Sequence, residues 1–275
     1  MDIIIFVCIF LLGTIIGSFL NVVIYRFNTG KSITRGHSIC MTCNKNLRWY
    51  ELIPLFSFLI QSGKCRRCAS NISHQYPLVE FGTGFIFTLI AYHFLPLLSV
   101  SHFTFVLLLT LFSFIFSILI VICVYDIRHK IIPDKLVYLF IVISFVSIFL
   151  SYESGIISLS LPNLWTVLSG PMLALPFALI WLLSKGKWMG LGDAKLILGI
   201  GWMLPPLVAL SSIVLSFWMG AVVGIIMIFL SKNHSVKKIG KIGMTTEIPF
   251  APFLILGVFI VFFFGLDIYS LAQLF

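Results

Sequence analysis

Long uninterrupted apolar runs constrain this chain more than any other feature. Leu, Ile, Phe and Val dominate stretches of about 20 residues, and a helix of that length crosses a hydrocarbon core about 30 Å thick. A membrane barrel would instead show short segments alternating with a period of two, which these runs lack. Eight runs are legible, near residues 3–25, 78–96, 104–125, 136–151, 164–184, 194–204, 207–230 and 248–271; the sixth is short and ends at Pro205-Pro206. With 60% hydrophobic and 10% charged residues the chain has too little polarity to build a water-facing surface. The expected fold is an all-α polytopic membrane protein with about eight transmembrane helices.

Charge sets the expected orientation. The 18 Lys and Arg residues fall between positions 26 and 67, 128 and 135, 185 and 195, and 232 and 241. When eight spans are threaded alternately, every one lands on the same side, while Asp2, Glu153 and Asp267 land on the other. Basic residues near span ends are retained in the cytoplasm, so this side is the cytoplasmic one. The net charge of +9 then needs no nucleic-acid partner. The first run follows Asp2, not a basic segment, and shows no small-residue cleavage pattern before Arg26, so it reads as a retained helix. Three parts are expected: the first helix (1–25), a cytoplasmic loop (26–77) and a seven-helix membrane core (78–275). The stretch 232–243 reads as a flexible cytoplasmic connector.

The long loop carries Cys40-Met-Thr-Cys43 and Cys65-Arg-Arg-Cys68. Each CxxC offers two thiolates to one metal, and four sulfurs complete a tetrahedral Zn²⁺ shell. The alternative is a pair of disulfides, which rarely persist in the cytoplasm. Four thiolates leave no open coordination position, so the metal of this zinc-ribbon-like loop is expected to be structural. His37 or His74 could replace a cysteine, but four sulfurs already suffice. Cys8 and Cys123 lie within spans as packing residues. Gly13-xxx-Gly17 reads as a close-packing helix face, and Asn21 as an inter-helix hydrogen bond.

Acids at a membrane edge are expensive and mark function. Asp126 closes the third span in Asp126-Ile-Arg-His-Lys-Ile-Ile-Pro-Asp134, and Asp193 opens the sixth in Gly190-Leu-Gly-Asp-Ala-Lys195. The two glycines are expected to allow close backbone approach, and a helix N-terminus favours a carboxylate. Both aspartates fall at the cytoplasmic edge. Two adjacent carboxylates share a proton, one acting as base toward water and the other stabilising an oxyanion, which suits peptide hydrolysis. The alternative pairs them with Lys195, Arg128 or Lys130 as interfacial ion pairs. His129 is interfacial, with a possible role in tuning Asp126.

Several motifs occur together in one order: Gly17-Ser-Phe-Leu-Asn-Val-Val-Ile-Tyr-Arg26, both CxxC pairs, Arg48-Trp-Tyr-Glu-Leu-Ile-Pro54, Tyr76-Pro-Leu-Val-Glu80, and the two aspartate segments. On these the chain resembles the type IV prepilin leader peptidases, bifunctional enzymes that also serve type II secretion pseudopilins. The resemblance implies that Asp126 and Asp193 are the catalytic aspartates of a GxGD-type membrane protease. The implied substrate is a prepilin or pseudopilin with a short basic leader, cut just before its hydrophobic helix at the cytoplasmic face of the bacterial inner membrane. It also implies N-methylation of the new terminus with S-adenosylmethionine, although the chain has no GxGxxG in a βαβ unit. Glu80 is the acid that could hold an amine or sulfonium there; alternatively it neutralises Arg66 or Arg67. The rival reading is a transporter using Asp126 and Asp193 as proton or cation sites, for which inverted repeats and midplane helix breaks are expected. A second rival is an assembly protein whose zinc loop docks a partner.

Overall fold

Residues 2–153, 156–232 and 249–266 are described by a computed structural model. Each of the eight apolar runs contains a helix: α1 (Asp2–Arg26), α3 (Gln75–His93), α4 (His102–His129), α5 (Asp134–Ser147), α6 (Leu164–Ser184), α7 (Leu191–Met203), α8 (Pro206–Lys232) and α9 (Ala251–Phe264). A short α2 (Phe56–Ile60) lies in the long loop. Among the described residues, four helices are long and apolar enough to cross a membrane: Ile3–Arg26, His102–His129, Leu164–Ser184 and Pro206–Phe229. The chain is therefore a helical membrane protein. The expected connector 232–243, beyond Lys232, and both ends of the last expected span lie outside the described residues.

Two features depart from the sequence reading. Residues 148–151 do not continue α5. Instead β1 (Leu150–Glu153) pairs antiparallel with β2 (Ile156–Leu159), with Leu150 opposite Leu159. The sequence signal was the Ser154-Gly155 turn pair between two short β-prone stretches. The second departure is length: α5 and α7 have 14 and 13 residues, or only about 20 Å at 1.5 Å per residue.

The chain divides into two compact units, Met1–Val121 and Ile122–Phe275. In the first, α1 and α3 pack along small residues. A Cβ added at Gly13 would meet the Gly84 Cα at 2.7 Å, and one at Gly17 the Glu80 Cα at 2.8 Å. Without the glycines the two backbones could not come this close. Above this seam the Asn21 amide donates to the Tyr76 carbonyl at 3.2 Å and its Oδ1 accepts from Gln75 at 3.3 Å, the expected bond between helices.

In the second unit α7 is the central helix. Leu196, Ile197 and Ile200 have no exposed surface, and α7 packs against α5, α6, α8 and α9. Its short length suits an element wrapped by neighbours more than one facing lipid. Gly199 admits the ring of Phe140 from α5, and Gly201 admits Gly170 of α6, whose Cα a Cβ would meet at 2.7 Å. The Ser169 hydroxyl donates to the Gly201 carbonyl at 2.6 Å and the Trp202 indole to Val167 at 2.9 Å, locking α6 to α7.

Candidate active site and metal centre

The two CxxC segments of the first unit fold into near copies of one turn. Cys40 N–H donates to Lys45 and Asn44 N–H to Cys40; Cys65 N–H donates to Ser70 and Ala69 N–H to Cys65, all at 2.9–3.0 Å. Asn44 and Ala69 both take positive φ, 53° and 54°, which closes each turn. The Arg26 guanidinium at the end of α1 donates to the carbonyls of Ser32, Arg35 and His37, shaping the chain that leads to Cys40. Sequence reading had counted Arg26 as a topological charge and as the end of a family motif, with no role toward the cysteines.

All four Sγ atoms lie within 4.8 Å of one another, and no disulfide links them. Cys40 Sγ and Cys68 Sγ are 3.8 Å apart, which is about the edge of a tetrahedron with 2.3 Å Zn–S bonds. The donor set therefore fits one tetrahedral ion, and neither His37 nor His74 belongs to the cluster. The N–H groups of Cys43 and then Thr42 push the Cys40 thiol down to about 6. The Ser70 hydroxyl, 3.0 Å from Cys68 Sγ, holds that thiol below its ordinary range. Ser70 is thus a support to the cluster that spacing alone did not reveal.

In the second unit Asp126 and Asp193 are both buried, 4% and 7% exposed. Gly190 caps α7 in extended conformation, and Asp193 stands three residues on, in the first helical turn. Its carboxylate accepts the Gly190 N–H, closing a capping arrangement at the positive end of the helix. Asp126, in the last turn of α4, accepts the N–H of Ala251, the first residue of α9. Each carboxylate therefore rests on the N-terminal end of a different helix, and the charge of Asp126 bears directly on Asp193. Asp126 Oδ2 and Asp193 Oδ1 are buried with no hydrogen-bond partner among the described residues.

The two glycines of the motif do different work, which corrects the expectation that both admit close backbone. A Cβ at Gly192 would meet Ile132 Cβ at 2.9 Å, so this glycine lets the start of α7 sit against the segment that follows Asp126. A Cβ at Gly190 would meet Asp193 Oδ2 at 3.5 Å, an ordinary contact, and its φ of −74° suits any residue. Sequence reading did not identify Ile132 or Ala251, because neither carries chemistry of its own.

Of the cations named in the ion-pair alternative, Lys195 is engaged by Asp134. Lys195 Nζ lies 2.7 Å from Asp134 Oδ1 and 4.9 Å from the Tyr138 ring, joining the first turns of α5 and α7. The His129 ring lies 4.4 Å from that of Tyr125. In the first unit Glu80 is buried; its Oε2 accepts the Leu55 N–H at 2.8 Å and its carboxylate also takes the Ser18 hydroxyl. Its carboxylate thereby anchors the loop to α3.

The profile described as Bacterial Peptidase A24 N-terminal domain matches residues 11–94, and the Type IV leader peptidase family matches residues 113–225. A prepilin leader peptidase/N-methyltransferase of Stutzerimonas stutzeri is 31% identical over 94% of this chain and 90% of its own length. Proteins of the same description from Pseudomonas aeruginosa and Bacillus subtilis are 29% and 28% identical, covering 94% and 95% of this chain and 90% and 95% of their own. No solved structure matches. The transporter reading gains no support from these relatives.

Proposed function

Because the chain belongs to the type IV leader peptidase family, we propose that it cleaves the leader from prepilins or type II secretion pseudopilins, with Asp126 and Asp193 as the catalytic pair, and N-methylates the new terminus. The observation that carries the assignment is the pair of buried oxygens, Asp126 Oδ2 and Asp193 Oδ1, with no partner among the described residues. Buried polar atoms without partners are costly, and such atoms on two neighbouring carboxylates suit a reacting water and a scissile carbonyl. The other side of each carboxylate is fixed by a helix N-terminal N–H, so both side chains are oriented before substrate arrives.

The chemistry follows from sharing one proton. The ionised aspartate takes a proton from water as its oxygen attacks the scissile carbonyl, and the protonated aspartate donates to the developing oxyanion. Collapse of the tetrahedral species returns a proton to the leaving nitrogen. This proton exchange requires no metal. Zinc, held by Cys40, Cys43, Cys65 and Cys68, would cross-link the two turns of the loop. Bound S-adenosylmethionine supplies an electrophilic methyl group; Glu80 is the residue proposed to steady positive charge in that step.

The one-sided basic residues support eight crossings of the bacterial inner membrane, with the catalytic pair at the cytoplasmic face. Within this arrangement residues 1–25 serve as the first helix, 26–77 as the zinc loop and 78–275 as the peptidase core. The test is incubation of purified protein with a prepilin and S-adenosylmethionine. The expected products are free leader and a mature chain with a methylated N-terminus, read by mass spectrometry. An unprocessed prepilin would refute the peptidase assignment.

A further inference from the structure

The loop between α1 and α3 carries an apolar segment that its own fold leaves uncovered. Trp49, Leu52, Ile53, Phe56, Leu59 and Ile60 are all exposed, the last two at 72% and 70%. Single exposed apolar side chains are ordinary, but a contiguous patch marks a surface that meets another apolar phase. The one acid of the segment, Glu51, is buried and accepts the Arg48 N–H at 2.7 Å, so it turns its charge inward. Cations frame the patch instead. Arg48 donates to the Tyr50 hydroxyl at 2.9 Å, the Arg66 guanidinium lies 5.3 Å over the Tyr50 ring, and Lys64 is exposed nearby in sequence.

The height of this patch follows from its anchor. Leu55, which caps α2, donates to Glu80 on α3, and the Glu80 Cα packs against Gly17 of α1. Gly17 precedes the last residue of α1, Arg26, by about 13 Å along the axis. Beside Glu80, Leu78 and Phe81 face outward at 69% and 53% exposure. Helix α2 therefore starts where the neighbouring helix surface is already apolar, not beyond the helix ends in water. A water-soluble protein docking there would itself have to enter the bilayer.

We propose that residues 49–60 insert into an anionic lipid surface. Phe56, Leu59 and Ile60 lie among acyl chains, and Trp49, Tyr50, Arg48 and Arg66 sit at the phosphate level, where aromatic and basic side chains are favoured. The insertion pins the four-cysteine turns to the bilayer surface.

Spin labels at Leu59→Cys and Ile60→Cys test this in the full-length, zinc-loaded chain with Cys8→Ala and Cys123→Ala, in vesicles of phosphatidylcholine and phosphatidylglycerol. Both positions are exposed, so labelling disturbs little packing, and unchanged zinc content verifies the loop. Collisions with oxygen are expected to exceed those with a water-soluble nickel chelate, with the reverse at a label on Asn28→Cys. Nickel-dominated collisions at 59 and 60 overturn the proposal, as does shielding from both reagents, which means that protein covers the patch. Tryptophan quenching by lipids brominated near the headgroup gives a label-free reading: it should fall in Trp49→Phe, and an unchanged value also overturns the proposal.

Discussion

Asp126 and Asp193 stand apart from Asp134 in their surroundings. Asp134 is 61% exposed at its side chain and holds Lys195, whereas the two buried acids have helix amides and each other. Asp126→Asn and Asp193→Asn preserve shape but cannot exchange the proton that hydrolysis needs. Each is expected to lower prepilin cleavage by about 10²–10⁴-fold, with insertion and zinc content unchanged. Cleavage near the parent rate in either variant would end the aspartyl mechanism. Asp134→Asn removes a partly exposed ion pair, an effect of about 1 kcal/mol or less, and should leave most activity. The glycines separate in the same way. Gly192→Ala forces a methyl into Ile132 and is expected to destabilise by about 1–3 kcal/mol, seen as a lower thermal midpoint in detergent. Gly190→Ala should leave that midpoint in place, because nothing but Asp193 and the local backbone stands near the new methyl.

The zinc loop makes its own prediction about protons. Cys40 is pushed from an ordinary 9.0 to about 6 by the amides of Cys43 and then Thr42. A thiol lowered on folding contributes stability that is full above its unfolded value and is lost as pH falls through its folded one. Cys40 is therefore already ionised at pH 7.5, and zinc uptake should release no more than about three protons, not four. Calorimetry in buffers of different ionisation enthalpy reads this number directly; release of four would contradict it. Cys40→Ser with Cys43→Ser should lose the metal and loosen the two turns, while any properly folded remainder keeps peptide cleavage. Helix α7 shows a different economy. Only 13 residues long, it is held by glycine contacts on opposite sides, with Phe140 of α5 and with Gly170 of α6. Gly199→Ala should consequently destabilise the second unit more than Gly192→Ala does, because an aromatic ring has less room to yield.

The arrangement of all basic residues on one side predicts the orientation of the full chain. A membrane-impermeant thiol reagent applied to intact cells should not label Asn28→Cys in the exposed loop, but should do so after lysis; outside labelling would reverse the topology. The apolar runs and the Lys and Arg distribution suffice for the membrane class and for this expected orientation, because crossing a bilayer depends on length and polarity that add along the chain. The CxxC pairs likewise announce a four-sulfur cluster able to hold one ion, since thiolate chemistry is local to the motif. The family was legible from motif order. What could not be read was which neighbours complete each site. That Lys195 serves Asp134 and not the buried pair, that the Ala251 amide rests on Asp126, and that Gly192 but not Gly190 yields space to Ile132 are facts of packing between segments far apart in sequence. Backbone amides and aliphatic surfaces are the same at every position in a sequence. Only the fold decides which of them meets a carboxylate.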